Sequence, residues 1–322
     1  MALPDFLIIG APKAGSTAVH AALKQHPQLF LSEPKEPKFF LTGGKRPDPR
    51  NHRGPGDLHS SREWIWDRAR YESLFDAAPY GALLGESTPF YLWDTVAHKR
   101  IHAEIPDVKL IAVLRDPVTR AYSNWTHLRG DGLEPEPNFM RAVSLEQQRV
   151  AAGYAPFWRY LELGLYGRQL EHLLRLFPRN QVFVLRYRRL VDDTAKVLDE
   201  ISAFLGVETG LVSTVPRSNV SKTVPDNALS RRLRAATRLG AAVGGHLPPQ
   251  LWRQAQRPLL LAMHTGSTHR TPLAIENRHG LLPYFEDDVR LLTRLTGQNF
   301  EDWLTDAGPT ASSVRHDAAK GR

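Results

Sequence analysis

An α/β fold with a central parallel sheet flanked by helices is predicted by three observations on this 322-residue chain. Short apolar runs with strand character recur at Phe6 to Ile9, Lys109 to Leu114 and Gln181 to Tyr187. Helical patterns separate them, and that alternation calls for parallel strands whose crossovers cover the sheet. The first run also passes straight into a glycine-rich turn and the start of a helix, the local arrangement from which anion sites are made.

The elements follow in order. After the first strand and its turn, a helix places Ala18, Ala22 and Leu23 on one side. The second strand lies within "KLIAVLRDP", and the helix after it starts at Pro117, a residue suited to a first helical turn, and runs through Tyr122 and Trp125. Leucines recur at helical spacing from Tyr166 to Phe177, and Pro178 and Asn180 stop that helix before the third strand.

Three stretches interrupt this order. Gly43 to Ser61, "GGKRPDPRNHRGPGDLHSS", is rich in Gly, Pro and charge and reads as a mobile loop. Residues 227–264 read as a helical insert, rich in Arg and Leu, packed on the main domain. Past Trp303 apolar periodicity ends, so residues 305–322 are expected to be a disordered tail. The expected organisation is one domain over 1–304 that carries the insert.

Composition narrows the chemistry. With no cysteine there are no disulfides, thiolate metal sites or cysteine nucleophiles. No apolar run approaches the length of a membrane span, and the early first strand leaves no room for a signal peptide, so a soluble cytoplasmic protein is expected. The net charge of +8 suits anionic ligands, while no RNA- or DNA-binding motif is present.

The segment "FLIIGAPKAGSTAVHAAL" is close to a Walker A loop, G-x-x-x-x-G-K-[ST], in which backbone N–H groups cradle phosphates, a lysine reaches the β- and γ-phosphates and a hydroxyl holds Mg²⁺. Gly10 and Gly15 keep the glycine spacing, yet Ser16 stands where the lysine belongs and Lys13 lies inside the loop. The cradle is retained and the nucleotide chemistry changes. The second strand ends in Arg115, where a metal-binding ATPase wants an aspartate, and Asp116 reads as a helix cap. A nucleotide kinase or ATPase is the rival enzyme class, and a non-catalytic polyanion binder the rival from outside enzymology.

These paired stretches resemble the two nucleotide signatures of sulfotransferases that use PAPS, 3′-phosphoadenosine 5′-phosphosulfate, in particular the carbohydrate (heparan-sulfate-type) branch and its bacterial relatives. "APKAGST" resembles the loop that holds the 5′-phosphosulfate, which implies donor contacts from Lys13, Ala14, Gly15, Ser16 and Thr17. "LRDPVTRAYSNWTHLR" resembles the site of the 3′-phosphate, which implies Arg115 and Ser123. The likeness continues through "EPKFF", "GESTPFY", "FPRNQVFVLRYRRLVDD" and "FLGV", with a looser echo in "FEDDVRLLTRLTGQNFEDWL". It implies a three-layer P-loop-type fold, PAPS as sulfuryl donor released as 3′,5′-ADP, no metal, and an acceptor that is a glycan, glycolipid or secondary metabolite.

Sulfuryl transfer needs positioning and charge stabilisation more than covalent help. By resemblance, Lys13 is the cation at the leaving oxygen and Glu36, in an E-x-x-F-F stretch, is the general base. A bare glutamate is a weak base near neutral pH, so Glu36 is expected to be desolvated and its pKa raised. Glu86 is the rival base, with a turn-stabilising role as its plainer reading. Ser87 stands where the carbohydrate enzymes usually have a lysine, so a second cation near the sulfuryl group is either missing or supplied elsewhere, with Lys38 and Lys35 as the candidates. His127, one helical turn from Ser123, matches a family histidine near the sulfuryl group. The loop "RSNVSKTVPDN" matches a basic segment that closes over the nucleotide and adds Ser221 and Lys222 as donor-site candidates.

Overall fold

The computed structural model describes residues 2–216, 232, 233, 235–237 and 272–306. Five parallel strands, β1 (Phe6–Gly10), β2 (Leu29–Leu31), β3 (Leu83–Ser87), β4 (Lys109–Leu114) and β5 (Val182–Arg186), form a sheet in the order β2-β3-β1-β4-β5. The helices around it are α1 (Ser16–Leu23), α2 (Phe39–Thr42), α3 (Asp57–Arg62), α4 (Arg68–Glu72), α5 (Thr95–Glu104), α6 (Pro117–Gly130), α7 (Phe139–Ser144), α8 (Glu146–Ala151), α9 (Tyr166–Leu174), α10 (Tyr187–Asp192), α11 (Thr194–Leu205) and α12 (Ile275–Thr296). The expected α/β architecture and its three predicted strands are present, joined by β2 and β3.

Alternation along the strands builds the layers. Phe6 and Ile8 of β1, Ile111 and Val113 of β4 and Leu185 of β5 share a core with Val19 and Leu23 of α1 and Val197, Leu198 and Ile201 of α11. Leu7, Ile9, Leu110, Ala112, Val182 and Val184 point to the other face and share a core with Ile101 of α5, Leu170 and Leu173 of α9, and Phe285 and Val289 of α12. Both faces are covered, which is why β1 and β4 are uninterrupted apolar runs. Each Val, Leu, Ile and Phe among them contributes about 1.5–3 kcal/mol by leaving water.

β3 escapes a hydrophobicity reading because Gly85 and Glu86 break its apolar run. Gly85 sits opposite Phe6, and a Cβ there would come within 2.2 Å of the Phe6 ring. Only glycine lets that ring lie across the sheet.

Connections leave β1 toward β2 on one side, while β3 crosses over to β4 on the other. The carboxyl ends of β1, β3 and β4 therefore border the crevice where ligands bind open α/β sheets. Asp116, just past β4, caps α6 by accepting from the Thr119 N–H at 2.6 Å. Buried Arg278 of α12 grips the same carboxylate at 3.1 and 2.8 Å and donates to the Trp303 carbonyl at 2.5 Å. That ion pair fastens the C-terminal helix beside the crevice.

The reading of Gly43 to Ser61 as a mobile loop is corrected. Part of it is α3, and its Asp57 is buried and accepts from the N–H groups of Gly54 and Ala155 and from Trp158 Nε1, each at 2.8 Å. One carboxylate collects three donors and ties the segment down, a tertiary effect invisible in its Gly- and Pro-rich composition.

The insert expected at 227–264, apart from the positions given above, and the loop bearing Ser221 and Lys222 lie outside the described residues. So do residues 307–322 of the expected tail, whereas Thr305 accepts from Arg278 Nε at 2.9 Å and Asp306 pairs with His279 at 2.6 Å. Among the described residues, no helix is long and apolar enough to cross a membrane.

Candidate active site

The turn after β1 makes an anion cradle. Ala14 N–H closes it on the Ala11 carbonyl at 3.1 Å, and Ala11 N–H reaches across to the Val113 carbonyl of β4 at 2.7 Å. Gly15 takes φ 104° ahead of α1, which has neither a side-chain cap nor an acidic residue in its first turn. The first N–H groups of the helix thus keep their positive end for an external anion. A Cβ on Gly15 would also meet Tyr187 Cδ2 at 2.4 Å, so the loop tolerates only glycine there.

Arg115 leaves the end of β4 toward this loop. Its Nη1 lies 3.5 Å from the Lys13 carbonyl, and its guanidinium sits 5.4 Å from the Tyr187 ring centroid. Tyr187 therefore packs on both halves of the expected nucleotide site. Ser123 and His127 project from α6 into the same cavity, where His127 Nε2 faces Asp131 at 3.5 Å. Burial lowers the His127 pKa and Lys13 adds to the effect, against the raising influence of Asp131 and Glu36.

The segment after β2 forms the opposite wall. Glu36 accepts from Lys35 Nζ at 2.9 Å and lies 3.8 Å from Lys38 Nζ. Burial pushes its carboxyl up, but Lys35 and Lys38 together outweigh that and hold the pKa below the ordinary glutamate value. The expectation of a raised pKa is thus overturned, because desolvation comes with two cations attached. Lys38 lines the cavity, its ammonium 5.6 Å from the Trp64 ring centroid, while Lys35 does not. Ser87 is buried against His20 Nδ1 at 2.8 Å and is absent from the cavity wall, so of Lys35, Lys38 and Ser87 only Lys38 lines the cavity.

Glu86 has a different setting. It is wholly buried and outside the cavity wall, accepting from Tyr71 at 3.1 Å, Tyr91 at 2.7 Å and Thr88 at 2.8 Å. Burial raises its pKa to about 7. The Thr88 hydroxyl oxygen in turn accepts from Lys38 N–H at 3.2 Å, and the Tyr91 hydroxyl accepts from Phe40 N–H at 3.3 Å. Glu86 shapes the segment that carries Glu36 and Lys38.

A cavity of about 620 Å³ gathers Lys13, Gly15, Ser16, Thr17, Glu36, Arg115, Ser123 and His127, with Ala14 buried behind the loop. Among the described residues, Lys13 at φ 66° and Lys38 at φ 62° are the non-glycine residues with positive φ. Each strained backbone costs on the order of 1–3 kcal/mol, and both lysines face this one cavity.

Residues 4–210 match the model of a family described as Sulfotransferase family. The chain belongs to that family. This sulfotransferase is 30% identical over 300 residues to human heparan sulfate glucosamine 3-O-sulfotransferase 6, covering 92% of the chain and 73% of that protein. It is 32% identical over 207 residues to human heparan sulfate glucosamine 3-O-sulfotransferase 3B1, covering 64% of the chain and only 47% of that protein. A crystal structure of a sulfotransferase from Alicyclobacillus acidocaldarius superposes with a TM-score of 0.73 at 27% identity, over 95% of this chain and all (100%) of that one. The sulfotransferase is an enzyme that transfers sulfuryl groups. Tyr187 lines the cavity although the sequence reading gave it no role beyond closing the third predicted strand.

Proposed function

We propose that the sulfotransferase moves the sulfuryl group of PAPS to a hydroxyl or amine, with Glu36 as base and Lys13 at the leaving oxygen. The observation that carries this reading is the convergence of Lys13, Arg115 and the α1 N-terminus with Glu36, Lys38 and His127 on one cavity. The loop and α1 fit a 5′-phosphosulfate, because the positive φ of Gly15 and its uncapped helix end leave N–H groups and hydroxyls facing an anion. Arg115 and Ser123 fit a 3′-phosphate, the group that distinguishes this donor from ATP.

PAPS supplies an activated sulfuryl group, and the residues do the rest. Glu36 takes the proton from the acceptor as the new S–O or S–N bond forms and hands it to solvent. Lys13 meets the negative charge that collects as the S–O bond to 3′,5′-ADP breaks. Lys38 neutralises the transferring oxygens, and His127, held neutral by burial, orients the acceptor from the α6 side. The lowered pKa of Glu36 makes it a weak base, suited to a step in which deprotonation runs late. A kinase-type reading has less support, since the Asp116 carboxylate is committed to Thr119 and Arg278.

The test is Glu36→Gln with PAPS and a mixed acceptor pool, read by mass spectrometry and 3′,5′-ADP release. Turnover is expected to fall by about 10²–10⁴ while 3′,5′-ADP binding is kept. Full activity in the variant removes Glu36 from the base role.

A further inference from the structure

Arg115 and Tyr187 owe their nearness to the register of the sheet. β4 and β5 run parallel with Leu114 opposite Arg186, so the next residues, Arg115 and Tyr187, leave the sheet as neighbours. Both line the cavity, and the Arg115 guanidinium rests 5.4 Å from the Tyr187 ring centroid. Each belongs to a strand-to-helix junction, β4 into α6 and β5 into α10. Whatever holds those two junctions holds the pair.

One C-terminal segment holds both. From α12, Arg278 donates through Nη1 and Nη2 to Asp116, the residue after Arg115, at 3.1 and 2.8 Å. The same guanidinium donates to the Trp303 carbonyl at 2.5 Å and to the Thr305 carbonyl at 2.9 Å, and Arg278 is only 5% exposed. Arg186, the residue before Tyr187, turns to the same stretch: its Nη2 meets the Asp302 carboxylate at 2.7 and 2.5 Å and its Nη1 donates to the Asn299 carbonyl at 2.6 Å. Its guanidinium also lies 5.2 and 5.5 Å from the ring centroids of Phe300 and Trp303. Gln298 Nε2 adds a bond to the Val184 carbonyl of β5 at 2.9 Å. A planar guanidinium with several partners fixes direction as well as distance.

We propose that Arg278 and Asp302 are positioning residues for the donor's 3′-phosphate: by holding the ends of β4 and β5 to one C-terminal segment they set Arg115 against Tyr187, and so decide how strongly a 3′-phosphorylated nucleotide is preferred. The proposal rests on the PAPS reading of the donor half. Neither side chain lines the cavity, and both lie beyond residues 4–210 that match the family model. They act through Asp116 and Arg186. A charge-assisted hydrogen bond weakens with misalignment, so a small shift at either junction lowers affinity for the 3′-phosphate. The 5′-phosphate end rests on the loop after β1 and on α1, so a nucleotide lacking the 3′-phosphate is spared.

The test titrates the full chain calorimetrically with 3′,5′-ADP and with 5′-AMP in EDTA, as wild type, Arg278→Lys, Asp302→Ala and Arg290→Met. Wild type is expected to prefer 3′,5′-ADP by about 10–100-fold. Arg278→Lys keeps the charge and loses the two-pronged grip, while Asp302→Ala removes a carboxylate that is 44% exposed. Each should cut the preference about fivefold and hold 5′-AMP affinity within about twofold. Arg290→Met, which breaks an exposed pair with Glu286 on the same helix, should leave the preference unchanged. An unchanged preference in Asp302→Ala overturns the proposal, as does equal weakening of both nucleotides, the mark of a merely structural role. Asp302→Ala decides alone where Arg278→Lys fails to fold. Wild type without a preference for 3′,5′-ADP overturns instead the donor reading beneath it.

Discussion

Tyr187 packs so closely on Gly15 that a Cβ on residue 15 would lie 2.4 Å from its ring. The same ring carries the Arg115 guanidinium at 5.4 Å, so one aromatic fixes the phosphate loop and the cation beside it. Gly15→Ala is expected to destabilise the fold by about 1–3 kcal/mol, through the positive φ and the clash together, and to weaken 3′,5′-ADP binding. In a Tyr187→Ala background the clash is gone, and the same substitution should cost about 1 kcal/mol less. Additive costs in this cycle, measured by urea denaturation, would show that the two residues are not coupled.

Lys38 trades stability for placement. At φ 62° its backbone prefers glycine, so Lys38→Gly is expected to leave stability unchanged or raise it by up to about 1 kcal/mol. The cavity loses its second cation in the same variant, and kcat should fall about 10²-fold. Lys38→Met, which keeps the strain and removes the charge, should lose kcat similarly without gaining stability. Normal turnover in both variants would take Lys38 out of the reaction.

The pH profile reports on Glu36. The carboxylate is the working form, and Lys35 and Lys38 hold its pKa down against burial. As pH falls, the working form therefore persists past the ordinary glutamate range, and the acid limb of kcat/KM assigned to Glu36 should lie below it. Lys35→Met removes an ammonium 2.9 Å from the carboxylate, leaves burial less opposed, and should move that limb to higher pH. An unmoved limb would assign the limb to another group.

Much of this site was legible in the chain because its chemistry is local. Gly10, Lys13, Gly15, Ser16 and Arg115 lie in short motifs whose backbone path follows from the strand, turn and helix containing them. The environment of Glu36 was not legible, since its pKa depends on the balance between burial and Lys35 and Lys38, not on residue type. Asp57 was hidden for a related reason: its partners Ala155 and Trp158 lie far along the chain. β2 is three residues long, too short for any period to show, and β3 hides an apolar strand behind Gly85 and Glu86.

Stability should also depend on pH through Glu86. Its folded-state pKa is raised from 4.5 to about 7 by burial, so its contribution is full at pH values below the unfolded value and is lost as pH rises through about 7. That shift corresponds to about 3 kcal/mol. Wild type is therefore expected to gain stability from this group on going from pH 8 to pH 5, and Glu86→Gln to show a smaller difference between the two. Equal pH dependence in both proteins, by thermal or urea unfolding, would show that Glu86 does not titrate in this range.

The most direct measurement of the donor assignment is calorimetric binding of 3′,5′-ADP compared with 5′-AMP and ATP, each with Mg²⁺ and with EDTA. The expected result is tight, metal-independent binding that requires the 3′-phosphate and is lost in Arg115→Ala. Preference for ATP with Mg²⁺ would contradict it and return the loop around Ser16 to kinase chemistry.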